Sequence, residues 1–212
     1  MTATGQWREA FERLGAATVG ESGGSPMRAS VRPAWPGARV AGPALPVVCT
    51  PGDNLAVHVA LTRAEPGTVL VVDVGDEPER GYWGEVLTTA AQHRGVAGLV
   101  IGGGVRDVDA LRRLRFPVFC TLISLRGATK QHAGSVGGVA HVGGVDVAVG
   151  DWIVADPDGV TVVPGGRLDD VLAAAEARER RERHLFDELR AGRTTVDLLD
   201  LDPAPVEVHA PR

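Results

Sequence analysis

The chain has 212 residues, enough for one domain with its own core, and its 44% hydrophobic and 23% charged residues exclude fibrous, collagen-like and disordered classes. Lys+Arg 22 against Asp+Glu 27 gives a formal net charge of -5, so there is no basic field of the kind that holds a protein on phosphate backbones, and no nucleic acid partner is expected. No run reaches the roughly 20 apolar residues that span a bilayer, and Met1–Glu9 lacks the charged-then-apolar order of a signal peptide, so a cytoplasmic protein without a membrane is expected.

Trp7, Phe11 and Leu14 at helical spacing predict a helix over 4–15 with Gly15 as its stop, followed by a small-residue segment containing Glu21. Residues 38–50 alternate as a strand, and Pro51-Gly52-Asp53-Asn54 turns the chain into a helix carrying Leu55, Val57, His58 and Leu61. Residues 68–74 are a short apolar run that suits a strand buried on both faces. Trp83-Gly84-Glu85 opens a helix that Gly95 stops. Gly98–Ile101 then reads as a buried strand running into a loop at Gly102-Gly103-Gly104, followed by Val105-Arg106-Asp107. Strand, helix, strand in this order is a βαβ unit, which presents functional groups at strand ends. Pro117–Cys120 is another strand, residues 134–163 are glycine-rich short strands, and a long charged helix runs over about 167–191. The expected architecture is a single compact layered α/β/α domain over 1–192 with a C-terminal extension, 193–212, that ends in Pro211-Arg212 and is mobile or contacts a partner.

Cys49 and Cys120 sit among apolar residues, as small buried hydrophobes do. Lys130 is the one lysine and stands in a polar stretch, so a desolvated Schiff-base lysine is not expected. The glycine run matches neither G-x-G-x-x-G nor G-x-x-x-x-G-K-[ST], which argues against a nucleotide site, and methyl transfer is discounted because the run precedes Arg106-Asp107. Arg106 and Asp107 are either a solvated turn or a site in which the guanidinium grips a carboxylate and Asp107 offers oxygen to a cation. Glu85 at a helix start is favoured by the dipole whatever its role, while the free N–H groups of Val86 and Leu87 suit a carboxylate. Asn54 and His58 share a helical face, with His58 either packed or functional; Glu176, Glu179 and Glu182 read as a solvated, salt-bridged face. With no zinc-spaced histidines, any metal should be oxygen-bound, which favours Mg2+ or Mn2+.

Pro51-Gly52-Asp53-Asn54-Leu55-Ala56-Val57-His58, Tyr82-Trp83-Gly84-Glu85, Arg94–Ile101, Gly104-Val105-Arg106-Asp107, Phe116-Pro117-Val118 and Gly150–Asp156 together resemble the 4-hydroxy-4-methyl-2-oxoglutarate aldolase family, also called RraA-like. The likeness runs over about residues 10–192. It implies a layered α/β fold, a homotrimer or hexamer with the site at the subunit boundary, and divalent-metal-dependent cleavage of 4-hydroxy-2-oxo-acids to pyruvate and an oxo-acid, with oxaloacetate decarboxylase activity. By the resemblance Asp107 ligates the metal, Glu85 supports it, and Arg106 binds the carboxylate and carbonyl end of the substrate. Asn54 and His58 then line the pocket with Gly84, Val86 and Leu87, and Glu21 and Glu182 are acids lent by a neighbouring subunit. A metal-polarised water is the expected base for the C4 hydroxyl. Gly102 stands where many relatives carry Asp, and Glu85 is one methylene longer than the Asp of some aldolases. Non-catalytic regulation of a ribonuclease, as in the family's founding member, and action on another small oxo-acid are the competing expectations.

Overall fold

The computed structural model describes residues 3–209; Pro211-Arg212 of the expected tail lie outside the described residues. In chain order the elements are α1 (Ala3–Glu21), β1 (Ser25–Pro26), β2 (Arg32–Pro33), β3 (Val40–Cys49), α2 (Leu55–Arg63), β4 (Val69–Asp73), β5 (Gly81–Trp83), α3 (Glu85–His93) and β6 (Gly98–Val105). They continue with α4 (Val108–Arg113), β7 (Val118–Ile123), β8 (Gly134–Val136), β9 (Val139–Val142), β10 (Val145–Ala148), β11 (Trp152–Asp156), β12 (Gly159–Val163), α5 (Leu168–Arg190) and α6 (Thr195–Leu198).

The long strand β3 belongs to two pairings at once. Val40–Pro43 runs antiparallel to β11, while Ala44–Val48 runs parallel to β4. The resulting sheet has the order β1-β12-β11-β3-β4-β6-β7-β2, with β5 added to β6 and β8 to β3, and it curls so that each half carries its own helices. Val69 to Val72 are fully buried, and they alternate in destination: Leu70 and Val72 pack with α2 and α3, whereas Val69 and Val71 pack inside the curl against Ile153 and Val142. On the far side, Phe11, Leu14 and Val19 of α1 and Leu168, Val171 and Ala175 of α5 cover Trp152 and Val154. Helices therefore lie outside and sheet inside, as the layered expectation requires. No helix among the described residues is long and apolar enough to cross a membrane.

Two sequence expectations change. Gly15 does break the first helix, with φ 81 and ψ 164, but the chain resumes helical geometry because the Ala16 N–H donates to Asp156 Oδ2 at 2.9 Å and the Ala16 carbonyl accepts from the Thr161 hydroxyl at 3.0 Å. Glu21 thus ends a helix. The second change is that Gly102-Gly103-Gly104 is strand, part of β6. The segment carrying β5 lies directly on it, Gly81 opposite Gly104, and a Cβ at Gly104 would stand 2.5 Å from the Arg80 carbonyl oxygen; one at Gly103 would stand 2.8 Å from Val74 Cγ2. Here glycine serves close approach of two backbones instead of a loop. A Cβ at Gly102 would meet nothing nearer than 3.8 Å. Accordingly, Gly104→Ala should cost about 1–3 kcal/mol and Gly102→Ala less than about 1 kcal/mol, read from urea unfolding midpoints.

Candidate active site

The ends of β5 and β6 and the starts of α2, α3 and α4 meet around a cleft of about 180 Å³, lined by Asn54, His58, Tyr82, Trp83, Gly84, Val86, Leu87, Arg106, Asp107 and Lys130 among others. Its floor is rigid. Trp83 is buried, stacks on Phe116 with ring centroids 5.8 Å apart, and donates its indole N–H to Thr88 Oγ1 at 2.7 Å. Asp107 follows β6 in the left-handed conformation, φ 58 and ψ 37, a strained backbone state that Asp tolerates better than most residues. That turn swings its carboxylate over the start of α3, where Oδ2 accepts the Glu85 N–H at 3.0 Å. Gly84 makes the approach possible, since a Cβ there would lie 2.4 Å from Asp107 Oδ2. The N–H groups of Val86 and Leu87 precede that of Thr88, the first to reach a helical acceptor, the Gly84 carbonyl, and have no bonded partner among the described residues.

Arg106 is fixed through its backbone, whose N–H donates to the Trp83 carbonyl at 2.9 Å, and its aliphatic stem passes over Gly81 and Gly84. Its guanidinium has no ion pair or hydrogen bond among the described residues, so its donors are available to an anion. Asn54 donates Nδ2 to the Tyr82 carbonyl at 2.8 Å, while its Oδ1 and the Nε2 of His58 are buried without a partner. Burial, and then the charge of Lys130, pulls the His58 pKa down against a smaller opposing pull from Asp53, which favours the neutral ring.

Lys130 was not among the site residues expected from sequence, and its polar neighbourhood gave no cue. It reaches the cleft because Asp53, one residue before Asn54, is a buried anchor for the loop that carries it. Asp53 Oδ2 accepts from Thr129 Oγ1 at 2.8 Å, Gln131 N at 2.6 Å and His132 N at 3.2 Å, and Oδ1 accepts from Leu55 N at 2.8 Å. Burial pushes the Asp53 pKa up, but these hydrogen bonds outweigh it and hold the carboxyl far below the usual range.

The remaining expected acids lie elsewhere in this chain. The Glu85 carboxylate is exposed and pairs with Arg113 of α4 at 2.9 Å, so its backbone lines the site and its side chain turns toward α4. Glu21 and Glu182 are brought together on one guanidinium, that of Arg178, with Nε to Glu182 Oε1 at 2.7 Å; Glu176 and Glu179 pair with Arg13. Burial and the Asp53 charge push the Cys49 thiol up to about 12, and burial pushes Cys120 up to about 11, consistent with inert packed thiols.

Residues 16–162 match the RraA-like family, described as Aldolase/RraA. The chain belongs to the RraA-like family. This RraA-like protein is 35% identical over 175 residues to a Halalkalibacterium halodurans protein whose name marks it as a candidate 4-hydroxy-4-methyl-2-oxoglutarate aldolase, covering 81% of the chain and 83% of the relative. Among solved structures it is similar to Streptomyces coelicolor RraAS2, called an unusual member of the RNase ES inhibitor RraA protein family, with a TM-score of 0.76 and 28% identity over 88% of this chain and 98% of that one. The Thermus thermophilis RNA-processing inhibitor RraA is similar at a TM-score of 0.64 and 27% identity, covering 70% and 92%.

Among the described residues no three His, Cys, Asp or Glu side chains converge as a ready cage for an ion. The donor set still fits a hard cation of the magnesium type, which keeps several waters and takes one or two carboxylates together with ligand oxygens. Asp107 Oδ1 is the carboxylate oxygen left over once Oδ2 is bound to the Glu85 N–H.

Because the Asp53 pKa is lowered by folding, its contribution to stability is present above the unfolded value of about 4 and is lost as pH falls from there through the folded value. Asp53→Ala should destabilise the RraA-like protein by about 3 kcal/mol at neutral pH by stranding buried N–H groups. Its unfolding midpoint should also fall less between pH 5 and pH 3 than that of the unaltered protein (an acid window of roughly the ordinary carboxylate range), as followed by circular dichroism.

Proposed function

We propose that this RraA-like protein is a divalent-metal-dependent carbon–carbon lyase that cleaves 4-hydroxy-2-oxo-acids, such as 4-hydroxy-4-methyl-2-oxoglutarate, to pyruvate and an oxo-acid, with oxaloacetate decarboxylation as a second activity. The observation that carries this reading is the convergence in one cleft of an Arg106 guanidinium with no internal partner and an Asp107 carboxylate fixed at the start of α3. Arg106 presents a planar pair of donors to the oxo-acid end, and the free N–H groups of Val86 and Leu87 face a carboxylate favoured by the helix dipole. Lys130 adds a second positive charge, so the cleft favours substrates with two carboxylates over those with one. Lys130 is exposed, not desolvated, which disfavours an imine mechanism.

Asp107 would hold Mg2+ or Mn2+, with Glu85 available to the ion's waters only after leaving Arg113. Bound there, the cation supplies positive charge against the enolate that develops when the carbon–carbon bond breaks. Buried Tyr82 and buried Trp83, the latter stacked on Phe116, give the cleft an apolar floor, which strengthens each charge interaction above it. The active unit in this reading is a homotrimer or hexamer. Val86 on the rim is 79% exposed, apolar surface suited to a neighbouring copy. Glu21 and Glu182 would serve that neighbour by exchanging Arg178 for it. The competing role, binding a ribonuclease without turnover, takes its support from the RNA-processing inhibitor named above.

The test is pyruvate release by chelator-treated protein after Mg2+ or Mn2+ is restored, across 4-hydroxy-2-oxo-acids and oxaloacetate. Metal-dependent turnover is expected, falling by about 100-fold or more in Asp107→Ala. Unaltered turnover in that variant ends the assignment, and a protein that releases no pyruvate with any metal leaves the regulator reading in possession. In the same assay Lys130→Met should raise KM for dicarboxylate substrates about tenfold with a smaller change in kcat.

A further inference from the structure

Resting on the aldolase reading above, we propose that His58 is the general base that removes the C4 hydroxyl proton and returns it to the enolate carbon. The inference comes from counting donors and acceptors around the cleft. A 4-hydroxy-2-oxo-diacid offers acceptors nearly everywhere, in its carboxylates and oxo oxygen, and these match Arg106, Lys130 and the Val86 and Leu87 N–H groups. Its one donor is the C4 hydroxyl, which needs an acceptor that no internal bond has already claimed. Three cleft residues carry one, Asp107 Oδ1, Asn54 Oδ1 and the His58 ring, but Asn54 Oδ1 and His58 Nε2 are shielded from the cleft, so Nδ1 is the ring nitrogen left to meet the hydroxyl. Asp107 is committed to the cation. Asn54 is oriented by its Nδ2 bond to Tyr82 so that only its oxygen is left, and an amide oxygen accepts a hydrogen bond but is far too weak a base to keep the proton. That leaves the imidazole on the same wall, one helical turn further along α2, in place of the metal-polarised water expected from the resemblance.

The surroundings suit the role. The His58 backbone N–H donates to the Asn54 carbonyl at 3.3 Å, so the tether from Asn54 to β5 also fixes the backbone from which the ring projects. Neither ring nitrogen has a hydrogen-bond partner among the described residues. Around the ring stand Lys130, Arg106 and Asp107 in the cleft, buried Asp53 behind it, and His93 and Arg94 across the neighbouring groove between α2 and α3. Burial and Lys130 keep the ring neutral and ready to accept.

In the step itself the C4 O–H bond breaks and its proton moves to an imidazole nitrogen. The freed electron pair forms the C4 carbonyl as the C3–C4 bond breaks, and that bond's electrons become the pyruvate enolate. The imidazolium then protonates C3, giving pyruvate and leaving His58 neutral. Oxaloacetate differs in having no hydroxyl proton to lose: its C3–C4 bond breaks to give CO2 and the same enolate, with no base required beforehand.

That difference provides the test. His58→Asn and His58→Gln are assayed with restored Mg2+ for cleavage of 4-hydroxy-4-methyl-2-oxoglutarate and for decarboxylation of oxaloacetate. Retro-aldol cleavage should fall at least about 100-fold further than decarboxylation, whose survival also reports a folded cleft. Equal losses of the two activities in both variants, or no loss in either, overturn the assignment of His58. Absence of both activities from the unaltered protein overturns the aldolase reading itself, so the two failures are told apart.

Discussion

The hydrogen bond from the Glu85 N–H to Asp107 Oδ2 joins the start of one helix to the end of the central strand, and the geometry of the cleft depends on it. It requires three things at once: a glycine at 84 so that the carboxylate can come near, a left-handed Asp107 so that the chain can turn over, and a β5 segment pressed onto β6. The last of these is why Gly104 lacks a side chain. Strain at Asp107 is held by the surrounding β-sheet pairing and by the helical bonds that its carbonyl accepts from Ala110 and Leu111, so the carboxylate is positioned before any ligand arrives.

Charge in the cleft is arranged by a second buried carboxylate that never enters it. Asp53 gathers the N–H groups of Leu55, Gln131 and His132, and in doing so ties the first turn of α2 to the loop that carries Lys130. One anionic side chain thereby fixes Asn54 and His58 on one wall and the lysine on another. The cationic side then faces an acceptor-rich side across the cleft.

The acids that the family resemblance assigns to the site have partners already within this chain: Glu85 on Arg113, and Glu21 with Glu182 on Arg178. All are at least partly solvent-exposed, where an ion pair is worth about 0–1 kcal/mol, so each can exchange its guanidinium for a cation or a neighbouring copy at little cost.

Much of the fold was legible because burial leaves a periodic trace. The apolar run at 68–74 suited a strand covered on both faces, which β4 is, and the charged 23-residue α5 announced itself by composition. Spacing left Arg106, Asp107, Asn54 and His58 open between a structural and a functional reading, and the family resemblance put them with Val86 and Leu87 at one pocket; all six line one cleft. Sequence could not assign the glycine run to a strand, because its reason is the Arg80 carbonyl lying across it, nor bring Lys130 to the site, because a carboxylate 77 residues earlier holds its loop. Local pattern reports what each segment does with its own apolar face and backbone. Which distant backbone presses on a glycine, and which buried acid collects which N–H groups, is set only when the strands have paired and the sheet has curled.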